Sequence, residues 1–307
     1  MKNILVCALA AAALFLAEGR RPLQAQAEAR PRIISLYAAH TEILLRLGAK
    51  DNLIGVSGHE TYKGPETEGW NPPVFSVRDD VEKFLAARPD LILARPMHLA
   101  SGEHLFAMLE NAGVKVHSAQ VLRAGDLYGY WRGLAELAGR EEAAEKMIAD
   151  FEARVSAYQA AAARRPEKDR PRVFIEAVHQ QIKTFTPDSL PVWLVETAGG
   201  RNAADEAKAA SPGVIVADYG PERLLAKADQ VDIFISQEGP MNSVSLEALR
   251  RRSLYRPLKA FKEGRVYKIS EDILARPTPS LLTGLETLAE LTGLEIDAAG
   301  PPPSTGP

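Results

Sequence analysis

Arg32-Ile33-Ile34-Ser35-Leu36-Tyr37-Ala38-Ala39-His40 opens a pattern that recurs through the first half of the chain: a short apolar run ends and a histidine follows within a few residues. Leu53-Ile54-Gly55-Val56 precedes His59, Leu91-Ile92-Leu93-Ala94 precedes Arg95, Met97 and His98, and Val114-Lys115-Val116 precedes His117. Runs of about four apolar residues that alternate with helix-patterned segments read as buried strands of a parallel sheet. In such sheets ligands bind in the crevice beyond the carboxyl ends of the strands. Polar side chains collected at those ends therefore mark a candidate cleft.

Outward from these runs, the chain reads as two α/β halves. Thr41 is a plausible N-cap after the first run, with Glu42 in the first turn and Gly48 at the end of the helix. Val81 to Ala87 and Gly102 to Ala112 are two further helices. Residues 58–73 form a Gly/Pro/Glu-rich loop of about 16 residues, a length that in compact domains is functional or disordered. From Arg140 to Arg164 there is no proline or glycine, which predicts one helix on the order of 36 Å long. It reads either as a surface helix or as a rigid strut between lobes. The rhythm then resumes with strands at Val173–Ala177, Asp232–Ser236 and Val266–Ile269, a strand or loop at Val214–Ala217, and helices at Leu190–Thr197 and Ser280–Thr292. The fold class is thus α/β, with two Rossmann-like lobes over 31–138 and 170–296. One long rigid helix over 140–165 joins them, a ligand cleft lies between them, and 297–307 is a disordered tail.

The first 27 residues read as an export signal: Lys2, an apolar stretch of about 14 residues from Ile4 to Ala17, and the small-x-small site Ala25-Gln26-Ala27. The expected destination is the periplasm, with cleavage near Ala27. Cys7, the one cysteine, lies inside the apolar stretch, so the mature chain holds neither disulfides nor thiolate metal ligands. Removing the signal, which carries Lys2, Arg20 and Arg21 against Glu18, takes the formal charge from −3 to −5. This mild acidity gives no basic face for nucleic acid. The composition is that of an ordinary globular protein, 46% hydrophobic and 25% charged.

Several fragments, in order, resemble class III periplasmic substrate-binding proteins, the receptors of ABC importers for corrinoids, ferric siderophores and haem. They begin with Arg32 to Leu36, Ala39-His40-Thr41-Glu42 and Leu47-Gly48, and continue through Leu53 to Ser57, Val81-Glu82 and Arg88-Pro89-Asp90-Leu91-Ile92. Leu109, Gly113-Val114-Lys115-Val116, Ala198-Gly199-Gly200-Arg201-Asn202, Val244-Ser245-Leu246-Glu247 and Phe261 to Tyr267 complete the set. The resemblance implies two lobes bridged by a stiff helix, a monomer with no intrinsic cofactor, and a metal-containing chelate as ligand. It also implies an inner-membrane ABC permease as partner, docking on one carboxylate per lobe. By position those are Glu103 and Glu247; the competing reading is that both simply favour the first turns of their helices.

The candidate ligand-binding residues are Tyr37, His40, His59, Trp70, Arg95, His98, His179, Thr184, Thr186, Gln237 and Arg276. The resemblance places Tyr37, His40, Thr184 and Thr186 against ligand. The others follow strands or sit in adjoining loops. Trp70 and Tyr62 stack on a flat macrocycle or anchor the loop. His40 and His59 are the candidate metal ligands, since imidazole suits iron, cobalt, zinc or nickel. His104 and His117 read as structural. Arg95 and Arg276 suit carboxylate or phosphate groups and repel a bare cation, so an anionic chelate ranks ahead of a free transition-metal ion. A chelatase-like enzyme is the competing class, but no nucleophile–base motif or phosphate loop is present.

Overall fold

The structure, a computed structural model, describes residues 30–211, 213–240 and 242–296. The expected export signal with its cleavage site, and the expected tail over 297–307, lie outside the described residues. The chain begins with β1 (Ile33–Ser35), α1 (Ala38–Arg46), β2 (Leu53–Gly55), α2 (Val81–Ala87), β3 (Leu91–Ala94), α3 (Pro96–Ser101), α4 (Glu103–Asn111) and β4 (Lys115–Ser118). These strands form a four-stranded sheet in the order β2-β1-β3-β4, and every pair is parallel. Two helices follow, α5 (Leu127–Ala138) and α6 (Glu141–Arg164).

After them come β5 (Arg172–Glu176), β6 (Lys183–Phe185), α7 (Leu190–Thr197), β7 (Arg201–Asn202), β8 (Val216–Asp218), α8 (Pro221–Ala226) and β9 (Ile233–Glu238). The last elements are α9 (Leu246–Arg251), α10 (Lys259–Lys262), β10 (Val266–Ser270), α11 (Glu271–Leu274) and α12 (Leu281–Thr292). A second parallel sheet has the order β10-β9-β5-β7, and β6 and β8 form a separate antiparallel pair.

The strand runs are apolar at successive positions because both faces of each sheet are covered. Ile33 and Leu93 turn toward one core, while Ile34 and Ile92 turn toward another. The second sheet divides the same way, with Val173, Ile175 and Ile235 on the inner face and Phe174 and Phe234 on the outer. This is the two-residue alternation of a strand. The two inner faces belong to one continuous apolar cluster that also takes in Trp131 of α5, Phe151 of α6 and Leu285 of α12.

Helix α6, 24 residues long, carries the chain from the first sheet to the second. Ala144, Ile148, Phe151 and Val155 make a buried stripe along it, and Phe151 meets Trp131 edge to face at 4.9 Å. The helix is therefore packed along its length. The segment before α12 returns to the first half of the molecule. Trp131 Nε1 donates to Pro277 O at 2.8 Å, and Ser280 Oγ donates to Glu42 Oε1 at 2.6 Å. Arg46 lies against the same pair, with Nε 2.8 Å from Glu42 Oε1 and Nη2 3.1 Å from Ser280 Oγ.

Three sequence expectations change. Helix α1 starts at Ala38 with Tyr37 as N-cap, so Thr41 is inside the helix rather than capping it. Helix α5 was not foreseen, because Gly129 and Gly133 interrupt an apolar stripe of Leu127, Tyr130, Trp131, Leu134 and Ala138. The segment 214–217 becomes a strand only from Val216, where it pairs with β6. Two glycines in helices give opposite expectations for thermal unfolding. A Cβ at Gly284 of α12 would overlap the Ile273 carbonyl of α11, whereas one at Gly133 meets nothing within 4 Å. Gly284→Ala should lower stability by about 1–3 kcal/mol. Gly133→Ala should raise it by about 0.4–1 kcal/mol, so the two unfolding midpoints move in opposite directions.

Candidate ligand-binding groove

Three strand ends meet where the two sheets face each other. Tyr37 follows β1, Arg95 follows β3, and Glu271, Asp272 and Arg276 follow β10. The Arg95 guanidinium lies over the Tyr37 ring, 4.6 Å from its centroid. Burial pushes the Tyr37 phenol above its ordinary pKa; Arg95 and Arg276 pull it down, and Glu271 and Asp272 push it up. Charges from both halves of the molecule thus act on one ring.

The two arginines are in different states. Arg276 is buried and donates to Glu271 Oε1 at 2.9 Å. Its Nη1 is 2.8 Å from Asp272 Oδ1, close enough to pair though not aligned as a hydrogen bond. The same Nη1 donates to Thr61 Oγ1 at 2.7 Å, across to the first half of the chain. Its charge is balanced, so the expected anion-binding role fits it poorly; it acts as a tie. Arg95 has no carboxylate at ion-pair distance among the described residues, and its Nε is buried without a partner. Arg276 Nε is likewise buried without a partner, so among the described residues the two arginines differ in their carboxylates, which Arg276 has and Arg95 lacks.

The histidines expected in one cleft are dispersed. His40, on α1, is fully buried, its Nε2 3.3 Å from Ala119 O and its ring 5.2 Å from Tyr37 and 5.8 Å from Tyr130. Burial holds its pKa down at about 3, so it is a neutral imidazole packed behind Tyr37. His59 is exposed at the start of the long loop. Of the two candidate metal ligands, His40 is closed off from solvent and His59 is exposed; no group of three or more His, Cys, Asp or Glu able to hold a metal occurs among the described residues. The His98 Nδ1 accepts from the Arg95 amide at 3.3 Å, which fixes the turn into α3. Burial and the Arg95 charge lower its pKa. His104 is exposed on α4, and His117 is on the edge strand β4.

His179, after β5, is tied into the second half. Its Nδ1 is 3.1 Å from Glu176 Oε2, and its carbonyl accepts from Arg252 at 2.9 Å. Glu176 is fully buried and also accepts from Tyr255 and from Ser236 Oγ. The sequence reading missed this buried network. Thr184 is not at the groove: it is 1% exposed and its hydroxyl donates to Ile175 O at 2.8 Å inside the sheet. Thr186 is buried, and Gln237 is buried with its Oε1 lacking a partner among the described residues. Trp70 and Tyr62 pack against the shared core, which fits the anchoring reading of the loop. Glu103 and Glu247 are both exposed in the first turns of α4 and α9, and Glu247 pairs with Arg251 at 2.5 Å.

Glu271 and Asp272 were also missed, although the same strand-end rule points to them directly after Val266–Ile269. Among the described residues no helix is long and apolar enough to cross a membrane.

Two parallel sheets with converging strand ends and polar side chains between them define a two-lobed receptor. The chain belongs to the periplasmic binding protein family, whose sequence profile matches residues 33–273. It is 25% identical over 261 residues to an uncharacterized ABC transporter substrate-binding lipoprotein of Bacillus subtilis, covering 84% of this chain and 79% of that one. It is 26% identical over 270 residues to a vitamin B12-binding protein of Vibrio vulnificus, covering 86% and 91%. Its fold matches the crystal structure of a possible iron-binding periplasmic solute-binding protein from Staphylococcus epidermidis. That match has a TM-score of 0.71 at 24% identity and covers 86% of this chain and 99% of that one.

The state of His40 has a measurable consequence. Its pKa is near 6.5 unfolded and about 3 folded. Between those values the unfolded chain holds a proton that the folded chain does not, so stability falls as pH is lowered through the window and is complete above it. His40→Gln should flatten denaturant-measured stability from pH 6.5 toward pH 3 by up to about 1.4 kcal/mol per unit, relative to the parent.

Proposed function

We propose that this chain is the exported receptor of an ABC importer and that it captures an anionic metal chelate (a ferric siderophore, a corrinoid or haem) between its two lobes. The observation that carries the reading is Arg95, a guanidinium with no carboxylate at ion-pair distance among the described residues, against the face of Tyr37 where the strand ends converge. A planar guanidinium stacked on an aromatic ring presents its N–H fork to a carboxylate or phosphate, and it repels a bare cation. Tyr37 offers the ring against which a large ligand packs, and Arg276 braces the opposite wall through Thr61, Glu271 and Asp272. That the Vibrio vulnificus relative is a vitamin B12-binding protein supports a ligand of this class.

Binding and release, not bond chemistry, is the task of such a groove. The chain acts as a monomer in the periplasm, after cleavage near Ala27, and hands its ligand to a membrane permease. Residues 31–138 and 170–296 act as the two lobes, with the helix over 140–165 as a strut that limits their closure. Glu103 and Glu247, one on each lobe, are the permease contacts.

Purified mature protein titrated with haemin, cyanocobalamin and ferric hydroxamates by tryptophan quenching tests the reading. At least one should bind, and Arg95→Ala should weaken it by about 10- to 100-fold, the loss of a charge-assisted hydrogen bond. Tight binding of zinc or nickel alone, with none of the chelates bound, would overturn it. In cells, Glu103→Lys or Glu247→Lys should abolish uptake while the purified variants keep the parent's affinity. A matching loss of affinity would show these carboxylates to be part of the ligand site.

A further inference from the structure

Residues 250–268 carry eight lysines and arginines against one acid, Glu263, in a chain whose formal charge is −3. Most of these cations are held by partners. Arg251 pairs with Glu247, Lys259 with Asp232 and Lys268 with Glu238. Arg252 donates to His179 O at 2.9 Å, and Arg265 donates to Leu291 O at 2.8 Å. The Arg250 and Arg256 side chains have no ion-pair or hydrogen-bond partner among the described residues.

Those two arginines line one pocket. It has a volume of about 430 Å3 and is completed by Lys262, Phe261, Gly264 and Val266, with no acid on its wall. Arg250, Arg256 and Lys262 are all exposed, so a ligand reaches them from solvent. Lys262 lies 3.3 Å from Asp229, but that acid is 90% exposed, and surface pairs of this kind are weak enough to be exchanged. The wall behind the cations is firm: Phe261 packs on Phe234 and Tyr255, with ring centroids 5.1 Å apart in each pair. Three like charges around one space repel one another, and a bound anion offsets that repulsion. The pocket is distinct from the groove. Val266 begins β10, whereas Glu271 and Asp272 follow its other end, roughly 16 Å away at about 3.3 Å per residue.

The charge selects the anion. A carboxylate brings one negative charge, whereas a phosphomonoester brings about −1.5 to −2 at neutral pH and three acceptor oxygens. Arginine forks match phosphate oxygens two at a time. The volume falls within the roughly 300–1,000 Å3 of sites that hold a small molecule, and Phe261 offers its body an apolar wall. We propose that Arg250, Arg256 and Lys262 form a binding site for the phosphoryl group of a small phosphomonoester, at the end of the second lobe away from the groove. This goes beyond the chelate-capture reading and does not rest on it.

Calorimetric titration of the mature protein at low ionic strength, with phenyl phosphate and with benzoate as its carboxylate counterpart, tests the site. Phenyl phosphate should bind saturably and about tenfold or more tighter than benzoate. Arg250→Gln and Arg256→Gln should each weaken it by about tenfold or more. Both positions are exposed, so the variants keep the fold. Arg95→Ala should leave phenyl phosphate binding unchanged. Lowering the pH from about 7.5 to about 5.5 should weaken phenyl phosphate, whose second ionisation lies near 6, and leave benzoate as it was. Absence of saturable binding, equal binding of the two probes, or a loss that follows Arg95→Ala instead would overturn the site. Binding to phosphatidylglycerol vesicles without binding to phenyl phosphate would make the patch a lipid-facing surface and overturn it as well. Each of those outcomes leaves chelate capture standing.

Discussion

The bond from the Trp131 indole to the Pro277 carbonyl joins two distant parts of the chain at the centre of a shared core. Trp131 is fully buried against Phe151 of the long helix, so its N–H requires an internal partner, and the partner lies 146 residues away. Holding Pro277 there sets the course of the segment that follows. Ser280 then reaches Glu42 and Arg46, and Arg276 reaches Thr61. The facing of the two sheets follows from that attachment together with the packed stripe of the long helix. A stiff rod alone would fix the distance between sheets but not their mutual rotation. The return of the C-terminal segment fixes the rotation.

Glu271 and Asp272, directly after β10, sit around Arg276 and balance its charge. Arg95, on the opposite wall, has Tyr37 beside it and no carboxylate at ion-pair distance among the described residues. Two arginines that look equivalent along the chain therefore differ: one ties the walls together, and the other has no carboxylate at ion-pair distance among the described residues. The same distinction separates the histidines. His40 is a neutral packing group that supports Tyr37 from behind, and His179 completes the hydrogen bonding of a buried Glu176.

Strand positions were legible because burial on both faces leaves continuous apolar runs, as in Ile33-Ile34 and Leu91-Ile92-Leu93. Helices with uninterrupted helix formers, Val81–Ala87 and Glu141–Arg164, were legible for the same local reason. Helix Leu127–Ala138 was hidden by its two glycines, and short helices such as Glu271–Leu274 carry too few residues for a period to show. In the site, Tyr37, Arg95 and Arg276 were found from strand ends. Glu271 and Asp272 were passed over because a carboxylate after a strand looks like any solvated acid until its partners are known.

What the sequence determined by itself was the alternation of buried strands and helices, hence two parallel sheets and polar groups at their carboxyl ends. That information is local, carried by which neighbours along the chain are apolar. The tertiary structure alone decided which of those polar groups are paired, buried or free. Partners such as Arg276 and Thr61 are 215 residues apart, and the ionisation of a group depends on the charges and solvent around it in space, to which position along the chain is blind.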